Sequence, residues 1–476
     1  MLNSFASDQQ NSSEHLPPSA RFANTLFNIS TVFAFLLLVH TLWFAWLSSA
    51  RYPTIDFFTF WSVSQALAQK PDIPIYSVEG QREMGSLAAN RAATSAASDL
   101  QRQATSMVLR LYDSRIDAIS SPVLYAVVGL SSSGDFLVDQ KRFLFMSMLC
   151  LFSAALLLGN LLRLSRPEIF LLLSFLFWNY EPVSSNLSTG NVNSIQLLAV
   201  AFFVFFMARA KPFLAGLTIG AATAFKPTTL MVIAIAMVIT LIDRDFKWLF
   251  RMFAGCIAAV AASVLVSSVY FGSPAIWLHF LHSLPQTLGG TYYSVESGNV
   301  SLPALLFGPS RGPSFGITLV LFAIFVWMLV SSRASASNPS LLSSAHSSLR
   351  LHIAFAAGGC GCAIMLLSSP LVWQHYYVLL LPLSLYLMSP LSRVPLDASR
   401  AEASSLGAVL LLFVPYSPFV VLSLLFEQYV GQRNVRVLCS LILLTALATF
   451  LLALYRVWRC RRACLAQGEQ LGQRSF

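Results

Sequence analysis

The sequence predicts an all-α protein that crosses a bilayer many times. Three observations carry this: 56% of the 476 residues are hydrophobic, only 11% are charged, and the mean hydropathy is +0.68. Soluble domains carry roughly a quarter charged residues, so a chain this poor in charge belongs in lipid. Helices are the simplest way to satisfy every backbone group in hydrocarbon, and a span takes about 20 apolar residues. The predicted architecture is about twelve transmembrane helices, each about 20 residues where complete.

Residues 1–24 read as a polar cytoplasmic tail. Residues 25–49 (TLFNISTVFAFLLLVHTLWFAWLSS) form the first run, too long for a signal-peptide core and without an A-x-A cleavage pattern after it. It is expected to be a retained span. Residues 51–141 are polar and read as a long outer loop. Its RYPTIDFFTFW start and its Ala/Ser/Arg-rich continuation carry helical apolar stripes, which predicts amphipathic helices lying on the membrane surface. Apolar runs follow at 142–162, 168–180, 192–208, 213–225, 228–242, 252–271, 313–332, 351–368, 372–390, 405–424 and 434–457. Residues 25–457 are thus one transmembrane domain, and 458–476 a basic cytoplasmic tail.

The 213–242 region decides the topology. Proline disfavours helix at the residue before it, so Pro227 predicts a break at Phe225-Lys226-Pro227 and a hairpin. The hairpin puts Arg163, Arg166, Arg209, Lys211, Arg244, Lys247, Arg251, Arg333, Arg350, Arg393, Arg400 and the tail arginines on one side. That satisfies the positive-inside rule and explains the formal charge of +10 without a nucleic-acid partner. The seven cysteines outline no disulfide framework, and Cys360-Gly-Cys362 lies in a small-residue stretch (AAGGCGCA) that suits close helix packing. His279 and His282, spaced i,i+3, have no acidic or Cys ligand near them in sequence, and no metal is assigned.

In this topology Asp56, Glu181, Asn191, Asn193, Lys226, Glu296, Asn299 and His375 gather at the non-cytoplasmic face. No acidic residue falls in the middle of a span, whereas ion-coupled carriers place ionisable groups there. A flippase or transporter of lipid-linked sugar is therefore the second reading.

Four local patterns carry a resemblance. They are Asp56-Phe57-Phe58-x-x-Trp61 with Tyr76 closing the stretch; Leu187-Ser188-x-Gly190-Asn191-x-Asn193; Ala215-Gly216-Leu217 followed by Ala224-Phe225-Lys226-Pro227; and Asn299-x-Ser301-Leu302 with Ser369-Pro370-x-x-Trp373-x-His375-Tyr376. In order and spacing, over about residues 50–380, they resemble glycosyltransferase family 87. Two patterns differ from the family: Gly190-Asn191 stands where Gly-Gln is usual, and Tyr-Pro-Pro is reduced to Ser121-Pro122-x-x-Tyr125. The resemblance implies a C-type glycosyltransferase fold in the cell (inner) membrane. It implies an inverting, metal-independent transferase without a cofactor. The sugar, often mannose, would pass from a polyprenyl-phosphate carrier to a lipid or glycan acceptor outside the cytoplasm.

Displacement at an anomeric carbon needs a base for the acceptor hydroxyl and positive charge for the departing phosphate. From position and resemblance, Asp56 is the candidate base; its bland alternative is an N-cap for the helix that follows. Lys226 and His375 are the candidate phosphate-binding groups, against a snorkelling lysine and an ordinary interfacial histidine. Trp61 and Trp373 are candidates for stacking on a sugar or prenyl chain, with an aromatic belt as the alternative. Asn191, Asn193, Asn299 and Tyr76 complete the expected substrate-binding set.

Overall fold

The computed structural model describes residues 18–287, 295, 299–308, 312–333, 346–389 and 432–473. The chain is all-helical among these residues. The first half comprises α1 (Pro18–Ser49), α2 (Ile55–Gln69), α3 (Val78–Ala92), α4 (Asp99–Leu111), α5 (Pro122–Ser131), α6 (Phe136–Leu161), α7 (Arg166–Asn179), α8 (Glu181–Thr189) and α9 (Asn193–Ala208). Then come α10 (Pro212–Phe225), a 3-10 turn (Pro227–Thr229), α11 (Leu230–Asp243), α12 (Phe246–Phe271), α13 (Ile276–Thr287), α14 (Leu302–Phe307) and α15 (Gly312–Arg333). The last part is α16 (His346–Phe355), a π-helical stretch (Ala356–Cys360), α17 (Gly361–Ser368), a 3-10 helix (Gln374–Leu380), α18 (Leu381–Met388) and α19 (Gln432–Gln473).

Among the described residues six helices are long and apolar enough to cross a membrane: Phe22–Ser49, Phe136–Leu161, Phe246–Phe271, Ser314–Ser332, Leu349–Ser368 and Cys439–Arg462. Others of the expected spans are shorter. Asn193–Ala208, Pro212–Phe225 and Pro227–Asp243 are apolar helices of 10–17 residues. A 14-residue helix such as α10 reaches only about 21 Å, short of a hydrocarbon core of about 30 Å. The 372–390 run is divided between the 3-10 helix and the 8-residue α18. The run at 405–424, and Glu296, lie outside the described residues.

The break at Lys226 is present. Lys226 itself is extended, with φ −153° and ψ 119°, between α10 and the 3-10 turn. Glycines show which way the chain runs next. A Cβ on Gly216 would stand 1.9 Å from Met252 O, one on Gly220 2.7 Å from Cys256 Cα, and one on Gly255 2.1 Å from Phe213 O. Contacts therefore advance together along α10 and α12, so these helices are parallel and α11 returns between them. The hairpin follows: Lys226 is at one end of α11, and Arg244 and Lys247 are at the other. At that other end the Asp243 carboxylate pairs with Arg461 of α19. Arg456 donates there to the carbonyls of Tyr386 and Ser389, closing the C-terminus of α18. If the basic end is cytoplasmic, a cysteine replacing exposed Ser273, just past α12, should react with a membrane-impermeant thiol reagent applied outside. One replacing exposed Lys247, at the start of α12, should not. Labelling of Lys247→Cys alone would invert the orientation.

The small-residue stretch is a packing device, as its composition suggested. Cys360 and Cys362 are fully buried and unpaired. A Cβ on Gly358 would meet Val204 of α9 at 2.7 Å, and one on Gly361 would meet Val232 of α11 at 2.5 Å.

The loop between α1 and α6 departs from expectation. It is a packed layer with its own core, in which Phe57, Phe58, Trp61, Tyr76, Met84, Val108, Tyr125 and Phe136 come together. Helix α4 keeps the predicted single stripe, burying Gln101, Ala104, Thr105 and Val108. Helix α2 does not lie on a surface. Nine of the ten positions from Phe57 to Ala66 are buried, all but Gln65, because the FFTFWSVS run is small or apolar on every face. Ser77, Ser98 and Asp135 cap α3, α4 and α6 by accepting from Gly80, Gln101 and Val138 backbone N–H groups.

Candidate active site

The site forms where α2, the α8–α9 corner, the α10–α11 break and the last 3-10 helix meet. Asp56 is the second residue of α2, in its first turn. The N-cap is Thr54, so Asp56 does not cap the helix. Its Oδ2 instead accepts from Asn191 Nδ2 at 2.7 Å. Thr54 is strained, with φ 44° for a β-branched residue, and its buried hydroxyl has no hydrogen-bond partner among the described residues.

Gly190 ends α8 at φ +72° and lets the chain turn so that Asn191 faces Asp56. A Cβ there would stand 2.7 Å from Phe57 Cβ and 2.9 Å from Thr54 Cβ. Gly190→Ala is therefore expected to cost about 1–3 kcal/mol of strain and to push Asn191 off Asp56. Thermal melting in detergent and sugar transfer should fall together. A variant as stable and active as the wild type would mean that the corner tolerates a side chain.

Asn191 connects two charges. Its Oδ1 accepts from Lys226 Nζ at 3.2 Å while its amide holds Asp56. Lys226 Nζ also donates to Asn193 Oδ1 at 3.0 Å and lies 3.9 Å above the Tyr376 ring. Asn193 Nδ2 in turn donates to His375 O at 3.2 Å. His375 Nε2 stands 3.7 Å from Asp56 Oδ2, too far for a hydrogen bond, and is buried without a hydrogen-bond partner among the described residues. Asp56, Asn191, Asn193, Lys226 and His375 thus meet as expected, from segments up to 319 residues apart in number (56 to 375).

Burial moves both charged groups toward neutrality. Burial raises the Asp56 carboxyl above its ordinary range, while the Asn191 hydrogen bond and the Lys226 charge pull it back. Burial lowers Lys226 to about 7, opposed by Asp56. A carboxylate and an ammonium each brought nearer to neutral pH fit proton-transfer and anion-binding chemistry.

The other expected residues have protein partners of their own. Trp61 is packed inside the outer layer; its Nε1 donates to Asp139 Oδ2 at 3.1 Å and Arg91 covers its ring at 4.9 Å. Asn299, fully buried, donates to Pro370 O at 2.8 Å and accepts from Val372 N at 2.9 Å. It ties down the Pro370–Val372 segment that leads to His375. Tyr76 donates to Ser120 O at 2.8 Å. Trp373 is half-buried, two residues before His375.

Three contributors were given no site role from the sequence, although Tyr376 and Ser121 stand in the quoted patterns. Tyr376 supplies the ring beneath Lys226. Gln196, one turn after Asn193 in an apolar helix, donates to Lys226 O at 3.0 Å and Thr228 Oγ1 at 2.7 Å, bracing the break. Ser121 donates to Phe225 O at 2.7 Å. A lone glutamine at i+3 from Asn193 in such a helix was the available signal.

Residues 141–370, a little under half of the chain, match the family model for glycosyltransferase family 87. No curated protein matches the chain, nor does any solved structure. The match contains Asn191, Asn193 and Lys226 and stops short of Asp56 and His375, yet those two close on its polar residues in space. The match supports a transferase, and the chain is a multi-pass membrane protein similar over residues 141–370 to glycosyltransferase family 87.

Proposed function

We propose that the protein transfers a sugar, mannose by resemblance, from a polyprenyl-phosphate carrier to a lipid or glycan acceptor on the non-cytoplasmic face of the cell (inner) membrane. The observation that carries this is the Asp56–Asn191–Lys226 bridge, a carboxylate and an ammonium held side by side at the end of α11 opposite Arg244 and Lys247. Displacement of a glycosyl phosphate needs that pair. The acceptor hydroxyl gives its proton to Asp56 as its oxygen bonds to the anomeric carbon. The bond from that carbon to the phosphate oxygen breaks on the opposite side, so the configuration inverts. The leaving monophosphate gains about one charge, which Lys226 balances. Tyr376 and the two asparagine oxygens hold the ammonium where that charge develops. His375 Nε2, buried and without a hydrogen-bond partner among the described residues, is available to a ligand oxygen.

The test is incubation of the purified full-length chain with a panel of polyprenyl-phosphate sugars, following loss of sugar from the carrier. Release or transfer from at least one, lost in Asp56→Asn, is expected. Transfer from nucleotide sugars only, with none from any polyprenyl phosphate, would overturn the donor class.

A further inference from the structure

A cleft of about 530 Å³ opens in the outer layer, away from the bridge of charges. That volume lies in the range of small-molecule sites, about 300–1,000 Å³. One wall is the Pro71–Ser77 connection between α2 and α3; the other is the end of α12 with α13. His279 and His282, left without a role by the sequence, stand one turn apart on α13 and both line it, opposite Asp72.

The lining selects a ligand class. Among the described residues no lysine or arginine lines the cleft, and Lys70, near Asp72, is paired with Glu83 at 2.7 Å, so a phosphate would find no unpaired permanent cation among them. One carboxylate, two imidazoles and the hydroxyls of Ser77 and Ser273 instead offer mixed donors and acceptors, the inventory that pairs with neutral hydroxyls. Ile73, Ile75 and Tyr76 are buried beneath, giving an apolar floor for the carbon face of a ring.

The cleft is also tied to the site. From its floor Tyr76 donates to Ser120 O, and the next residue, Ser121, donates to Phe225 O, one residue before Lys226. Gly129 of α5 packs against Tyr270 near the end of α12, holding the wall to the same layer. We infer that this cleft, between Asp72 and the His279/His282 pair, binds a neutral saccharide portion of the acceptor. Its assignment to an acceptor rests on the transferase reading; saccharide binding itself does not.

The experiment is saturation-transfer NMR on the full-length protein in detergent with no donor added. The probes are neutral trisaccharides of mannose, glucose and galactose, with inorganic phosphate as the competing anion. At least one trisaccharide should bind saturably. Asp72→Asn and the His279→Ala/His282→Ala double variant should each weaken it about tenfold, the loss of about one good hydrogen bond. Asp56→Asn should leave it unchanged. These cleft positions are exposed, and unaltered melting temperatures will show that the variants are folded. Absence of trisaccharide binding, equal binding by the cleft variants, or displacement of the trisaccharide by phosphate would each overturn the assignment. Binding that depends on the cleft, in a protein that transfers no sugar from any polyprenyl phosphate, would support the cleft and overturn only the transferase reading.

Discussion

Replacing Asp56 with Asn is expected to lower turnover by about 10²–10⁴-fold, the usual contribution of a general base. The fold should survive, for reasons visible in the site. Thr54, not Asp56, is the N-cap of α2, so no cap is lost. The amide oxygen of an asparagine can still accept from Asn191 Nδ2, as Asp56 Oδ2 does now. What disappears is a carboxylate able to take a proton. Single-turnover transfer with a saturating donor, beside a melting curve, measures both. Wild-type turnover in a folded Asp56→Asn would remove Asp56 as the base. The pH profile of the unaltered protein adds a sign. Asp56 acts when deprotonated and burial raises its pKa, so the acidic limb should lie above the ordinary carboxylate range, with activity rising as pH rises through it.

Lys226→Met should lower kcat/KM by roughly ten- to a hundred-fold, since a charge-assisted hydrogen bond is worth about 1.5–3 kcal/mol. Methionine keeps most of the apolar stem, so a lysine that merely snorkels would tolerate the change. A lysine bonded to Asn191 and Asn193 and seated over Tyr376 would not be a free surface group. Most of the loss should fall on steps in which the leaving phosphate gains charge, with acceptor affinity little altered. Burial brings Lys226 down to about 7, so donor binding should weaken as pH rises through that value, and Lys226→Met should lack this alkaline limb. His375→Ala should act in the same direction. The double variant should lose less than the sum if both residues serve one phosphate. A folded Lys226→Met with the wild-type rate and the wild-type alkaline limb would return Lys226 to the role of an interface anchor.

Much of the architecture was written in local pattern. Low charge and long apolar runs determined an all-α membrane protein, because an unpaired backbone group in hydrocarbon is too costly to leave. Pro227 determined the break at Lys226, because its ring excludes helix from the residue before it. The distribution of Lys and Arg put Lys226 and Lys247 at opposite ends, as the parallel α10 and α12 require. Run length was a weaker guide: α10 and α11 are apolar enough for lipid but only 14 residues each, and periodicity does not report how deep a helix sits.

Tertiary structure alone decided the rest. An apolar face reads the same whether lipid or protein covers it, so α2 was expected on the membrane surface and is instead enclosed by its own layer. Trp61 next to Asp56 looked available for stacking until Asp139, 78 residues away, and Arg91 took its indole. The same reason governs Asn191. Its type and place were legible, but a carboxamide has a donor end and an acceptor end, and only the partners it meets decide which faces where. Asp56, 135 residues away, takes the donor and Lys226, 35 residues away, the acceptor, because Gly190 turns the chain between them. Such long-range hydrogen bonds leave no periodic trace in the sequence.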